Sequence, residues 1–149
     1  MKALSFAVAL LFSLSSLMAA RPGWSDNYAE SLARAKKEDK FILINFTGSD
    51  WCPPCQLLEK EYFANPEFKA FAEKNFVLIE IDFPMKTTQA PALKAQNRKL
   101  QEKFQVEGYP TNFILTPSGK PVATFMLPQI GPKDLVKELS AFLEKQKAG

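Results

Sequence analysis

The sequence predicts a mixed α/β fold, a single sheet with helices on both faces, and three observations lead there. Helical and strand-like segments alternate along residues 21–149. Two apolar β-forming runs, Phe41–Phe46 and Phe76–Phe83, are separated by helical sequence, so they pair in parallel through a crossover. A later pair of strands is joined by the short turn Pro117-Ser118-Gly119-Lys120, which adds an antiparallel edge.

Taken in order, Trp24 to Lys40 reads as a helix, with Tyr28, Leu32 and Ala35 on one face and Ser25 as its N-cap. Phe41–Phe46 is a buried strand, and Thr47-Gly48-Ser49-Asp50 is the turn that leaves it. A helix follows from Cys52 to Ala64. Asn65-Pro66 stops it and starts another, because Asn caps well and Pro suits a first helical position. Phe76–Phe83 is the second strand, Met85–Ala90 a loop and Pro91–Phe104 a long helix. Gly108-Tyr109-Pro110 turns into the strand Thr111–Thr116, Val122–Met126 returns, and Gly131-Pro132 opens the last helix. The count is about four strands. No repeat and no internal linker interrupts the order.

The first twenty residues differ in composition. Met1-Lys2 is followed by an apolar stretch to Leu17, and Met18-Ala19-Ala20 then precedes Arg21-Pro22-Gly23. A positive start, a short apolar core and small residues at the exit describe a secretory signal peptide, residues 1–20, cleaved near Ala20. The alternative is an uncleaved anchor. A spanning helix needs roughly 20 predominantly apolar residues, and this run is shorter and carries Ser5, Ser13, Ser15 and Ser16. The domain expected after cleavage is residues 21–149, in the periplasm or secreted.

Composition excludes several functions. Of the 149 residues none is histidine, so there is no imidazole base, no Ser-His-Asp triad and no His-ligated metal. A net charge of +3, with the basic residues dispersed, does not fit a nucleic-acid partner. The two cysteines, Cys52 and Cys55, are separated by Pro53 and Pro54. They fall where a strand turn meets a helix start, where free N–H groups and the helix dipole favour an anion and hence a thiolate. Cys52 is expected as the exposed attacker. Cys55, one turn on and deeper, is expected to resolve a mixed disulfide by attacking the Cys52 sulfur. Zinc would need four ligands, and two thiols cannot supply them. A structural staple over so short a loop would contribute only about 2 kcal/mol. Inert buried thiols fit poorly with two prolines at a helix start.

These residues resemble the thioredoxin superfamily: the strand Phe41–Phe46, the site Trp51-Cys52-Pro53-Pro54-Cys55, and Gly108-Tyr109-Pro110-Thr111 before a hairpin. The resemblance spans about Trp24 to Phe142. Phe46 to Cys52, Leu58-Glu59-Lys60 and Asn65-Pro66-Glu67-Phe68 are similar to the C-terminal domain of DsbD-type thiol:disulfide interchange proteins. The resemblance implies a thioredoxin-like fold and a cis Pro110 facing the two sulfurs. It also implies that the Tyr109 backbone pairs with an extended substrate strand, and that Trp51 and the Tyr109 ring wall the groove; simple core packing is the other role open to both aromatics. Where thioredoxins bury an acid in the strand before the site, this chain has Asn45, which cannot serve as a base. Glu59, seven residues after Cys52, matches an acid of DsbD-like sites. It would move protons or raise the cysteine pKa, unless it is a solvated helix-face acid. Residues Pro84–Gln101 exceed the corresponding thioredoxin segment, as a partner surface or merely a longer helix.

The implied activity is an exported thiol-disulfide oxidoreductase without cofactor. It acts on protein disulfides as a monomer and is resupplied by a separate membrane-bound or soluble thiol donor. Pro53 and Pro54 have no N–H, so the Cys52 thiolate would draw chiefly on Cys55 and Gln56, an arrangement expected of a reductase or exchanger rather than a strong oxidant. A disulfide-forming oxidase and a non-enzymatic binding module with the same groove remain open at this level.

Overall fold

A five-stranded sheet in the order β1-β3-β2-β4-β5 forms the centre of the computed structural model, which describes residues 20–149. The expected signal peptide, residues 1–20, lies outside the described residues except for Ala20. The strands are β1 Trp24–Ser25, β2 Phe41–Thr47, β3 Phe76–Asp82, β4 Thr111–Leu115 and β5 Pro121–Phe125. The helices are α1 Tyr28–Glu38, α2 Pro53–Leu58, α3 Pro66–Asn75, α4 Pro91–Lys103 and α5 Pro132–Ala148. β1 and β2 run parallel to β3, whereas β4 is antiparallel to both β2 and β5. The mixed sheet is as the sequence predicts. The β4–β5 turn closes through Gly119, whose φ of 86° is a left-handed conformation that glycine adopts without a Cβ penalty.

Alternation along β2 and β3 sorts the core into two layers. Ile42, Ile44, Phe46, Val77, Ile79 and Ile81 face α1 and α4, meeting Ala35, Leu100 and Phe104. Phe41, Leu43 and Phe76 face the opposite way, against Leu58, Phe68, Ala72, Leu135, Leu139 and Leu143 of α2, α3 and α5. All seven β2 residues are buried, as a strand covered on both faces requires.

The structure corrects three local expectations. Trp24 and Ser25 do not open a helix; they form β1, pairing with Leu78 and Ile79, and this supplies a fifth strand beyond the four expected. The N-cap of α1 is therefore Asn27, whose side chain accepts from the Glu30 N–H, and not Ser25. The helix expected from Cys52 to Ala64 divides. α2 ends at Leu58, and Glu59–Phe63 form a π turn in which the Ala64 N–H reaches back to the Glu59 carbonyl. Such wider turns recur at functional sites.

Candidate active site

Cys52 and Cys55 form a disulfide, with Cα atoms 5.3 Å apart, at the mouth between the C-terminal end of β2 and the start of α2. Cys52 is the N-cap of α2: its backbone is extended, Pro53 and Pro54 occupy the first helical turn, and its Sγ accepts from the Cys55 N–H at 3.3 Å. The Gln56 N–H is committed to the Cys52 carbonyl oxygen and not to its sulfur, so one backbone donor reaches Sγ where the sequence led us to expect two. Cys52 is also less open than expected. In the disulfide state it is 3 % exposed, and Cys55 is buried alike at 4 %.

The turn before β4 lies against Cys52. The Tyr109 carbonyl oxygen lies 3.8 Å from Cys52 Sγ, and the Tyr109–Pro110 bond is cis, the isomer the resemblance implied. The Trp51 indole is T-shaped to the Tyr109 ring at 5.9 Å and donates from Nε1 to the Phe83 carbonyl oxygen at 2.7 Å. A Cβ on Gly48 would sit 2.6 Å from Trp51 Nε1, so only glycine lets the indole lie flat on the turn. Phe83 packs beside Tyr109 at 5.2 Å, and Gln101 Nε2 donates to the Tyr109 hydroxyl at 2.8 Å. Burial pushes the Tyr109 phenol above its ordinary pKa.

The long segment after β3 is tied to the same loop. The Asp50 carboxylate accepts from the N–H groups of Met85, Lys86 and Thr87 at 2.8–3.1 Å. These bonds, that of Met85 first, hold its pKa below the usual carboxylate range. Asp82 in turn accepts from the Ser49 N–H and hydroxyl. Sequence reasoning singled out this segment by its length but not Asp50, whose role depends on loop N–H groups more than thirty residues away.

The sheet carries a row of polar side chains. Glu80 on β3, Asn45 on β2 and Asn112 on β4 are register partners on the face that carries α2. Asn45 Nδ2 donates to Asn112 Oδ1 at 2.9 Å, and Asn112 Nδ2 donates to the carbonyl oxygens of Phe125 and Met126. Asn45 is thus a structural link across the sheet. Glu59 does not stand as a lone solvated acid. Its carboxylate pairs with Arg21, whose guanidinium also pairs with Glu80 and donates to Asn45 Oδ1 at 3.4 Å. Burial pushes the Glu80 carboxyl up, and Arg21 opposes that shift. Arg21 carries no sequence signal: only the folded chain brings it to Glu59, Glu80 and Asn45.

Among the described residues, no group of three or more potential Cys, Asp or Glu metal ligands occurs. The class defined by this architecture is a thioredoxin-like protein with a Cys-Pro-Pro-Cys disulfide opening a helix opposite a cis-proline turn. The chain belongs to the thioredoxin-like domain family, whose model matches residues 28–143. It is 35% identical over 107 residues to the disulfide bond reductase DsbH of Chlamydia pneumoniae, covering 72% of this chain and 64% of the relative. To the thiol:disulfide interchange protein DsbD 2 of Pseudomonas aeruginosa it is 33% identical over 89 residues, covering 60% of this chain and 14% of that protein. The chain therefore matches less than two thirds of the length of these curated relatives. A solved structure described as the DsbH oxidoreductase superposes with a TM-score of 0.77 at 30% identity, over 93% of this chain and 95% of that one.

Proposed function

We propose that this chain is a thiol-disulfide oxidoreductase that reduces or exchanges disulfides in protein substrates through a mixed disulfide on Cys52. The observation that carries the reading is the Cys52–Cys55 disulfide at the start of α2, with Cys52 Sγ against the Tyr109 carbonyl. In the reduced chain the Cys52 thiolate attacks one sulfur of the client disulfide. The client S–S bond breaks, a Cys52–client bond forms, and the departing client thiolate takes up a proton. The Cys55 thiolate then attacks Cys52 Sγ, restoring the Cys52–Cys55 bond and releasing the second client thiol. Two electrons pass from the dithiol to the client, and a separate thiol donor returns them.

The reductive direction is supported by the donor arrangement at Cys52. Pro53 and Pro54 offer no N–H, and Gln56 is spent on the Cys52 carbonyl. One N–H stabilises a thiolate less than several, and a less stabilised reduced form makes a better reductant. The name of the DsbH relative, a disulfide bond reductase, agrees. Trp51, Tyr109 and cis-Pro110 form the client groove in this reading. Exposed Trp51, Met85 and Met126 supply apolar surface around it: Met85 is tied to Asp50, and the Met126 carbonyl accepts from Asn112, two residues after Pro110. We place the mature chain outside the cytoplasm, as a monomer, after cleavage near Ala20.

Insulin reduction with a thiol donor tests the activity. The wild-type chain accelerates precipitation, Cys52→Ser falls to background, and Cys55→Ser accumulates a mixed disulfide visible without reductant. A binding module would hold its client equally well with Cys52→Ser and show no thiol-dependent turnover.

A further inference from the structure

The Glu80–Asn45–Asn112 row is polar on a sheet face whose remaining contacts are largely apolar, and one cation covers it. Arg21 is held there by its surroundings. Its carbonyl accepts from the Trp24 N–H at 2.9 Å, and its guanidinium lies 4.1 Å over the Trp24 ring and 5.5 Å from that of Phe63. The charged groups facing it are Glu59 from the π turn and Glu80 and Asp82 from β3, with Asp26 adding its field at Glu80. Asp82 adds its charge at Arg21 while its carboxylate accepts from Ser49, so the direct ion pairs of Arg21 are those with Glu59 and Glu80.

Glu59 matters to the cysteines by position. Its backbone N–H donates to the Cys55 carbonyl, so its side chain projects from the same helix face one turn on. An unbalanced carboxylate there would oppose a second negative charge on Cys55. We propose that Arg21 is a positioning residue of the redox pair: it pairs with Glu80 and with Glu59, one helical turn after Cys55, and so sets how readily Cys55 gives up its proton to attack the mixed disulfide. The Cys55 proton leaves to solvent, the Cys55–Cys52 bond forms as the Cys52–client bond breaks, and the client sulfur departs as a thiolate. The inference deepens the oxidoreductase reading and rests on it. In that reading Glu59 is a neutralised acid, so that neither proton transfer by a free carboxylate nor simple solvation describes it.

The experiment titrates the thiols of the reduced full chain by thiolate absorbance, with folding followed by circular dichroism. Arg21→Gln is expected to raise the apparent thiol pKa by about one unit, the size of one uncompensated charge at short range in a partly screened site. Arg21→Lys should retain most of the wild-type profile. Arg21→Gln combined with Glu59→Gln should return it toward wild type, which a purely structural role for Arg21 would not do. An unmoved profile in folded Arg21→Gln, or a double variant as displaced as the single one, overturns the proposal. If Arg21→Gln does not fold, Glu59→Gln alone decides: with Glu80 left as the one acid paired with Arg21, the thiol pKa should fall, and no change refutes the idea. A wild-type chain that reduces no disulfide would defeat the oxidoreductase reading instead, and its titration would still report on Arg21.

Discussion

Two amides join three strands: the Asn45 oxygen faces Arg21 and its nitrogen donates to Asn112, which donates onward to the end of β5. Replacing it with leucine removes a partner from each neighbour inside a buried layer. Asn45→Leu is expected to cost about 1–3 kcal/mol in urea unfolding, the usual penalty for polar groups left unpaired on burial. The sequence placed Asn45 correctly in the buried strand and marked it as a departure from an acid. Its partners were illegible, because Asn112 and Arg21 lie 67 and 24 residues away and no local spacing encodes a cross-strand row. Cys52 and Cys55 were legible for the opposite reason. A CxxC between a strand and a helix is local, and the chemistry of a helix start follows from backbone geometry alone.

At the scale of elements, the turn between β2 and α2 is braced twice. Gly48 provides the flat seat for Trp51, and Asp50 caps three N–H groups of the segment after β3. Gly48→Ala is expected to push the indole off its seat, destabilise the fold by about 1–3 kcal/mol as overpacking does, and remove the protected Trp51 indole N–H signal from NMR spectra. The Asp50 brace depends on pH. Its carboxyl titrates below the ordinary range in the folded chain, so the stabilisation is present above the unfolded pKa and is lost as pH falls through the lower folded value. The amide shifts of Met85, Lys86 and Thr87 should therefore move together, with a midpoint below that of an ordinary aspartate, and Asp50→Asn should abolish that step. The split of the Cys52–Ala64 helix escaped the sequence because a π turn keeps helical composition. The short β1 escaped because tertiary pairing with β3 overrode the helical periodicity that begins near Tyr28.

For the whole molecule, alternation in β2 and β3 gives two covered faces, and the sheet order puts the site at the end of the central strand. Fold class and strand pairing were readable from periodicity and turn chemistry, since the crossover and the hairpin each admit few topologies. Electrostatics around the site was not, because Arg21, Glu59 and Glu80 meet only in the folded chain. Whether this thioredoxin-like chain donates electrons to protein disulfides depends on the difference in free energy between its dithiol and its disulfide. The equilibrium reduction potential of the Cys52–Cys55 pair in a glutathione buffer measures that difference directly. An electron-donating pair should lie near the thioredoxin range, about −270 mV. A value near about −120 mV, typical of a strong disulfide-forming oxidase, would contradict it.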